Sequence, residues 1–175
     1  MLKDLFRSKP KYVTIKHHQD PEKTEQPETK KELPDAKCDE CNQIIYHKDL
    51  EKNLKVCPKC GFHFRIGAWE RISFLVDPGS FNELFPNICS GDPLDFPEYK
   101  EKIIKSQKIT GLKEGVLTGT AKIEGIPLAL GVMDFGFIGG SMGSAVGEKL
   151  VRLFEYALEQ KMPVVTFATA GGARM

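Results

Sequence analysis

Four cysteines, Cys38, Cys41, Cys57 and Cys60, stand as two Cys-x2-Cys pairs separated by fifteen residues. That spacing lets two short knuckles place four thiolates tetrahedrally around one Zn²⁺, and it predicts a structural zinc ribbon. Four protein thiolates fill the ion's coordination and leave no position for water, so any chemistry has to lie elsewhere in the chain. Pro58 and Gly61 suit the tight turn that aims backbone N–H groups at thiolate sulfur. The competing use of these cysteines, a pair of disulfides, belongs to oxidising compartments and usually follows a secretory signal. The opening MLKDLFRSKPKYVTIK has only an apolar run broken by Lys3, Asp4 and Arg7, and no stretch approaches the roughly 20 apolar residues of a membrane span. A cytoplasmic protein without a membrane segment is expected. Cys89, in NICSGDP, reads as an unreactive free thiol.

The formal charge of +1 decides little, but its distribution is uneven. The ribbon carries Lys37, Lys48, Lys52, Lys55 and Lys59, and residues 1–16 hold Lys3, Arg7, Lys9, Lys11 and Lys16 against Asp4 alone. A basic ribbon can bind nucleic acid through phosphates. Lysines around a dianionic zinc–thiolate centre serve equally well as local compensation. A zinc-ribbon module that binds nucleic acid or protein is therefore the alternative function to weigh. From His17 to Ala36 the chain has one Leu, three Pro and no aromatic residue, too little apolar surface to offset the entropy of ordering it, and residues 1–35 read as a flexible leader.

After the ribbon, placed at 36–62, residues 63–114 read as a helical connector. Trp69, Ile72, Phe74, Leu75 and Val76 recur at helical spacing until Asp77-Pro78-Gly79 stops them; Phe81 to Phe85 looks like a segment docking through its aromatics; Lys100 to Lys108 suits a short solvated helix. At Gly115 the texture changes. Val116 to Ile123 alternates, Glu124-Gly125 supplies a tight turn, and Ile126 to Met133 runs apolar, which predicts a β-hairpin feeding a buried strand. A glycine loop, FGFIGGSMG, then opens a helix with Val146, Leu150, Val151, Phe154, Ala157 and Leu158 at helical spacing. Val164 to Ala168 is a second apolar strand, followed by a second small-residue turn, Ala170 to Arg174. Strand, glycine loop, helix, strand, glycine loop is the order of an α/β layered fold with right-handed crossovers.

Two glycine turns at the ends of neighbouring strands can bring backbone N–H groups to one point, which suits an oxyanion. Phosphate at a helix N-terminus is a second use of such a loop, but Gly136, Gly139, Gly140 and Gly143 do not space as G-x-G-x-x-G, and no Gly-Lys-Ser/Thr follows. Close packing without function is a third.

Several segments taken together resemble a known family: RISFLVDPGSF (71–81), DPLDFPEYKEK (92–102), FIGGSMG (137–143) and GGARM (171–175). They are similar, in this order and behind a four-Cys ribbon, to the carboxyltransferase β subunits of bacterial-type acetyl-CoA carboxylases. The resemblance covers about residues 36 to 175. It implies an α/β architecture in which the zinc ribbon precedes the first part of a crotonase-like (ClpP/crotonase) carboxyltransferase domain, here 115–175. It implies transfer of a carboxyl group from carboxybiotin, on a biotin carboxyl carrier protein, to acetyl-CoA, giving malonyl-CoA for fatty-acid biosynthesis. It also implies a carboxyltransferase α subunit as partner in an α2β2 assembly, and biotin carboxylase, the ATP-using component of the complex.

By the backbone argument, Gly140 and Ala173 are the candidate oxyanion donors, with Gly139 and Gly172 permitting close approach. His47 and His63 flank the cysteines but are superfluous beside four thiolates. Asp134 reads as a turn-initiating carboxylate. Arg174 could face coenzyme A phosphates or a partner subunit. A crotonase-type hydratase or thioesterase is disfavoured, because no Glu follows the glycine turns at a position suited to a general base. The family continues beyond the second glycine turn, so a fragment, inactive alone, is expected.

Overall fold

The computed structural model describes residues 36–174, so the expected leader at 1–35 lies outside the described residues. The ribbon and the sheet that follows it belong to one compact unit. In the ribbon, β1 (Ala36–Lys37) pairs antiparallel with β2 (Ile44–Ile45), which leads into the short helix α1 (His47–Lys52). The second knuckle closes through a bridge between Val56 and His63. Cys38, Ile45, Leu50 and Cys57 are buried together, with Phe62 and Phe64 against them. Four apolar side chains make a core too small to hold a domain of this size unaided, which is the usual circumstance of a metal-stapled module.

The main sheet has four strands in the order β3–β4–β5–β6. The hairpin forms as expected: β4 (Val116–Ile123) and β5 (Ile126–Met133) pair in register from Val116↔Met133 to Ile123↔Ile126. Glu124 and Gly125, both at positive φ (51° and 80°), form the two-residue turn whose twist matches the strands. β5 alternates between two covered faces, which explains its unbroken apolar run. Leu128, Leu130 and Val132 pack with Leu117 and Ala121 of β4 against α2 (Ala68–Leu75) and α3 (Tyr99–Thr110). Ala129 and Met133 face α4 (Ser144–Glu159), which leads to β6 (Val164–Phe167), parallel to β5. Gly131 lies on the α4 face too; a Cβ there would meet Leu150, Leu153 and Thr166 at 3.1–3.4 Å, so its absence sets how near α4 approaches.

Three expectations need correction. Residues 63–114, expected as a helical connector, also supply a strand: β3 (Asn82–Glu83), in the segment expected to dock by its aromatics, pairs antiparallel with β4. Gly119 makes room for it, since a Cβ would lie 2.5 Å from the Asn82 carbonyl oxygen and 2.6 Å from the Phe81 ring. Trp69 is half exposed, edge-on to Phe81, while Ala68 and Ile72 carry the buried face of α2. On α4, Val151, Phe154 and Leu158 form a second apolar stripe that stays exposed; the buried face is Val146, Lys149, Leu153 and Ala157. No helix among the described residues is long and apolar enough to cross a membrane.

Lys149 is therefore a charge inside an apolar face. Its side chain is 2% exposed, and Nζ lies 3.7 Å from Glu83 Oε1 on β3. Burial holds its pKa below the ordinary lysine value, against the opposing pull of Glu83. Such a pair is costly to break and cheap to replace. Glu83→Ala, which leaves the ammonium unpaired, should lower unfolding free energy by about 2 kcal/mol in urea titrations, whereas Lys149→Met should be neutral or stabilising.

Candidate functional site

The four ribbon cysteines converge. Their sulfur atoms all lie within 4.8 Å of one another, and no other ligand-bearing side chain joins the group among the described residues. Cys38 Sγ is 3.7 Å from Cys60 Sγ, and Cys41 Sγ is 3.8 Å from Cys57 Sγ. A tetrahedron with Zn–S bonds of about 2.3 Å has S···S edges of about 3.8 Å, so the donor set fits zinc. The thiols do not ionise as a set unaided. Burial pushes Cys57 up, but hydrogen bonds from the backbone of Cys60 and Lys59 outweigh it and bring its pKa down to about 7. At Cys60 a backbone hydrogen bond from Phe62 is overcome by burial and the neighbouring sulfurs, which push it up to about 12. A divalent cation resolves that conflict by binding all four as thiolates. His47 instead faces Glu51 one helical turn on, at 3.3 Å, and His63 sits in the knuckle bridge, so neither belongs to the metal site. Cys89 is exposed and free.

The two glycine loops follow β5 and β6, which are parallel neighbours, so both lie at the carboxyl end of the sheet. They are joined by backbone hydrogen bonds. Gly171 N–H donates to the Gly140 carbonyl at 3.2 Å, Met142 N–H to Gly172 at 2.8 Å, and Arg174 N–H to Met142 at 2.9 Å. Gly139 and Gly140, within a single 3₁₀ turn (Ile138–Gly140), and Gly172 all adopt positive φ, at 62°, 70° and 100°. A Cβ on Gly140 would collide with the Thr169 carbonyl, and one on Gly171 would lie 2.6 Å from the Gly139 carbonyl oxygen. Here glycine is required by contact as well as by dihedral angle. Ala173 lies between Gly172, whose carbonyl accepts in the bridge, and Arg174, whose N–H donates, and its own N–H takes no part in it. The Gly140 N–H donates to the Phe137 carbonyl at 3.0 Å, closing the turn, so it is available to a ligand only as a shared donor.

Arg174 holds this arrangement from inside. Its guanidinium reaches Glu114 Oε1 at 2.7 Å, the Ser141 carbonyl at 2.8 Å, Ser90 Oγ at 2.9 Å and Ser141 Oγ at 3.0 Å, and it lies over the Phe137 ring. The side chains of Arg174 and Glu114 are 3% and 0% exposed. Glu114 also accepts from Ser90 N–H, Ser90 Oγ and Gly115 N–H. Burial alone would raise its pKa; the hydrogen bonds of Arg174, Ser90 and Gly115 outweigh that and hold it below the usual carboxylate value. Arg174 is thus a structural cation, and Glu114 and Ser90 are partners that no local sequence signal marks. Asp134, read as initiating a turn, does so by accepting from Gly136 N–H at 2.7 Å, and its other oxygen accepts from Ala68 N–H at 2.7 Å, fixing the start of α2.

A four-thiolate ribbon ahead of a sheet whose parallel strands end in paired glycine loops defines a crotonase-like carboxyltransferase fold, present here in part. Residues 65–175 match the carboxyl transferase domain and residues 36–60 the acetyl-CoA carboxylase zinc finger domain. The chain belongs to the carboxyl transferase family. It is 52% identical over 180 residues to the acetyl-coenzyme A carboxylase carboxyl transferase subunit beta of Desulforamulus reducens, covering 100% of this chain and 61% of that protein. It is 53% identical over 176 residues to the protein of the same name from Carboxydothermus hydrogenoformans, covering 98% and 59%. The chain thus spans about three fifths of the length of these curated relatives. Transcarboxylase 12S, solved with methylmalonyl-coenzyme A and methylmalonic acid bound, is similar with a TM-score of 0.51 at 30% identity, over 63% of this chain and 20% of that one.

Chelation of zinc, or Cys57→Ser, should release hydrogen-exchange protection across residues 36–64 while β4 and β5 stay protected, because binding energy on the order of 10 kcal/mol is folding energy in such modules. Arg174→Met leaves Glu114 buried and unpaired and should cost about 3 kcal/mol of stability. Because the folded pKa of Glu114 is depressed, its contribution is present above the ordinary carboxylate pKa and lost as pH falls through the folded value. Acid titration of stability should accordingly be shallower in Glu114→Gln.

Proposed function

We propose that this protein is the β subunit of an acetyl-CoA carboxylase carboxyltransferase, moving a carboxyl group from carboxybiotin on a carrier protein to acetyl-CoA to give malonyl-CoA. The observation that carries the reading is the pairing of two glycine loops at the ends of adjacent parallel strands. It supports a thioester carbonyl held by the Ala173 N–H together with the shared Gly140 N–H, with Gly139 and Gly172 supplying the turns. Donors placed before the reaction stabilise the enolate oxygen as its charge develops, an effect of about 3 kcal/mol per donor. The carboxybiotin donor supplies CO₂ and a ureido nitrogen able to take the methyl proton, so no protein nucleophile is required. The chain's own part is to hold the oxygen, orient the methyl carbon and keep water out. An α subunit completing the biotin side, a biotin carboxyl carrier protein and a biotin carboxylase are the partners this reaction needs, and a cytoplasmic location suits its substrates.

Two features speak against the other readings. Glu114, the carboxylate that reaches the glycine loops, is fully buried and bound to Arg174, so it cannot serve as the general base of a hydratase. Lys55, one of the ribbon lysines that suggested nucleic-acid binding, turns inward to Glu70 at 3.1 Å. In the assembled complex, Gly140→Ala should lower malonyl-CoA formation by about a hundredfold or more, with zinc content unchanged. Undiminished turnover in that variant would sink the oxyanion assignment.

A further inference from the structure

A cavity of about 300 Å³ opens at the carboxyl ends of β5 and β6, lined in part by Met133, Phe135, Phe167 and Thr169. Its floor adjoins the glycine loops, since the Thr169 carbonyl packs directly on the backbone of Gly140. Its outer wall comes from the segment joining the ribbon to α2 and from α2 itself, which carry one cation each, Arg65 and Arg71. The Arg65 guanidinium lies over the Phe135 ring, 4.3 Å from its centroid, and Arg71 lies over Phe167 at 5.4 Å. Among the described residues neither is paired with a carboxylate. Glu70, next to Arg71 in sequence, is engaged by Lys55, and Asp134, between the lining residues Met133 and Phe135, by the N–H groups of Ala68 and Gly136.

Two like charges facing one cavity without a counter-ion repel each other, and an anion between them relieves that repulsion. Stacking on a ring holds a guanidinium by its face and leaves its N–H edge free to donate, an arrangement suited to two-pronged recognition of phosphate. A single small anion would use only part of this cavity. An extended molecule with phosphates at one end and a reacting carbonyl at the other would span it from the arginines to the glycine loops.

We propose that Arg65 and Arg71 form the phosphate-binding end of the thioester site, holding the phosphates of a coenzyme A ester whose carbonyl lies at the paired glycine loops. This rests on the reading that the protein acts on an acyl-CoA. The arginines set binding of the handle, distinct from the loops that hold the reacting oxygen. Because Arg65 follows the last zinc-ligating cysteine by five residues, the ribbon anchors one wall of the site.

The test compares acetyl-CoA with S-acetylpantetheine, which keeps the thioester and lacks the nucleotide phosphates, using the full protein in complex with its co-purifying subunits. Affinities are measured by calorimetry for the wild type, Arg65→Gln, Arg71→Gln, the double variant and Arg71→Lys. Losing a charge-assisted hydrogen bond to phosphate costs roughly tenfold or more in affinity. The double variant should therefore weaken acetyl-CoA at least about tenfold more than S-acetylpantetheine and flatten the salt dependence of acetyl-CoA binding, with Arg71→Lys intermediate. Equal weakening of both ligands would assign the arginines a structural role and overturn the proposal, as would tight acetyl-CoA binding by the double variant. A wild-type protein that binds no acetyl-CoA would remove the underlying acyl-CoA reading as well, an outcome distinct from either.

Discussion

The buried ion pair between Glu114 and Arg174 is the interaction on which the rest of the site depends. It joins residues 60 apart in sequence, and through Ser90 it reaches 84 residues back from Arg174. One carboxylate and one guanidinium thereby tie together the connection before α3, the start of β4, the loop after β5 and the loop after β6. Both charges are removed from water, so they are tolerable only because nearly every donor and acceptor finds a partner. The glycine loops, which have no side chains to pack, take their position from this pair and from the hydrogen bonds between their own backbones.

What was legible in the sequence was local. The cysteine spacing announces its tetrahedron because a knuckle is set by two residues between ligands, and the sulfur distances fit it. The hairpin was legible because alternation and a Glu-Gly turn are short-range signals, and the loop glycines because their dihedrals admit few other residues. What was hidden depends on partners distant along the chain. Arg174 could be seen as a cation near a turn, but nothing beside it in sequence says that it points inward to Glu114. β3 has only two residues, and its pairing is decided by Gly119 on another strand. The helical spacing of α4 offered two apolar stripes, and the face chosen for burial includes Lys149, which periodicity would have placed outside.

The ribbon and the sheet also communicate through polar contacts at their junction. Lys55 of the second knuckle bonds Glu70 of α2, while Asp134 at the end of β5 caps the first N–H of the same helix. α2 is therefore held at one end by the zinc module and by the strand that leads into the first glycine loop. A metal with no open coordination position thereby bears on the sheet, by helping to orient the helix that carries Arg71.

The hydrogen bonds between the two glycine loops restore a parallel pairing past the ends of β5 and β6, but in a new register: Met142 stands opposite Ala173 where the strands last set Val132 opposite Phe167. The first loop takes ten residues to reach this bridge and the second six, so each has its length fixed against the other, as two sides of a zip that re-engages after a gap. Substitutions that respect the glycines can drift, but an insertion or deletion in either loop shifts one side by a notch and separates every later pair. Divergence in this part of the molecule is therefore confined to replacement rather than change of length.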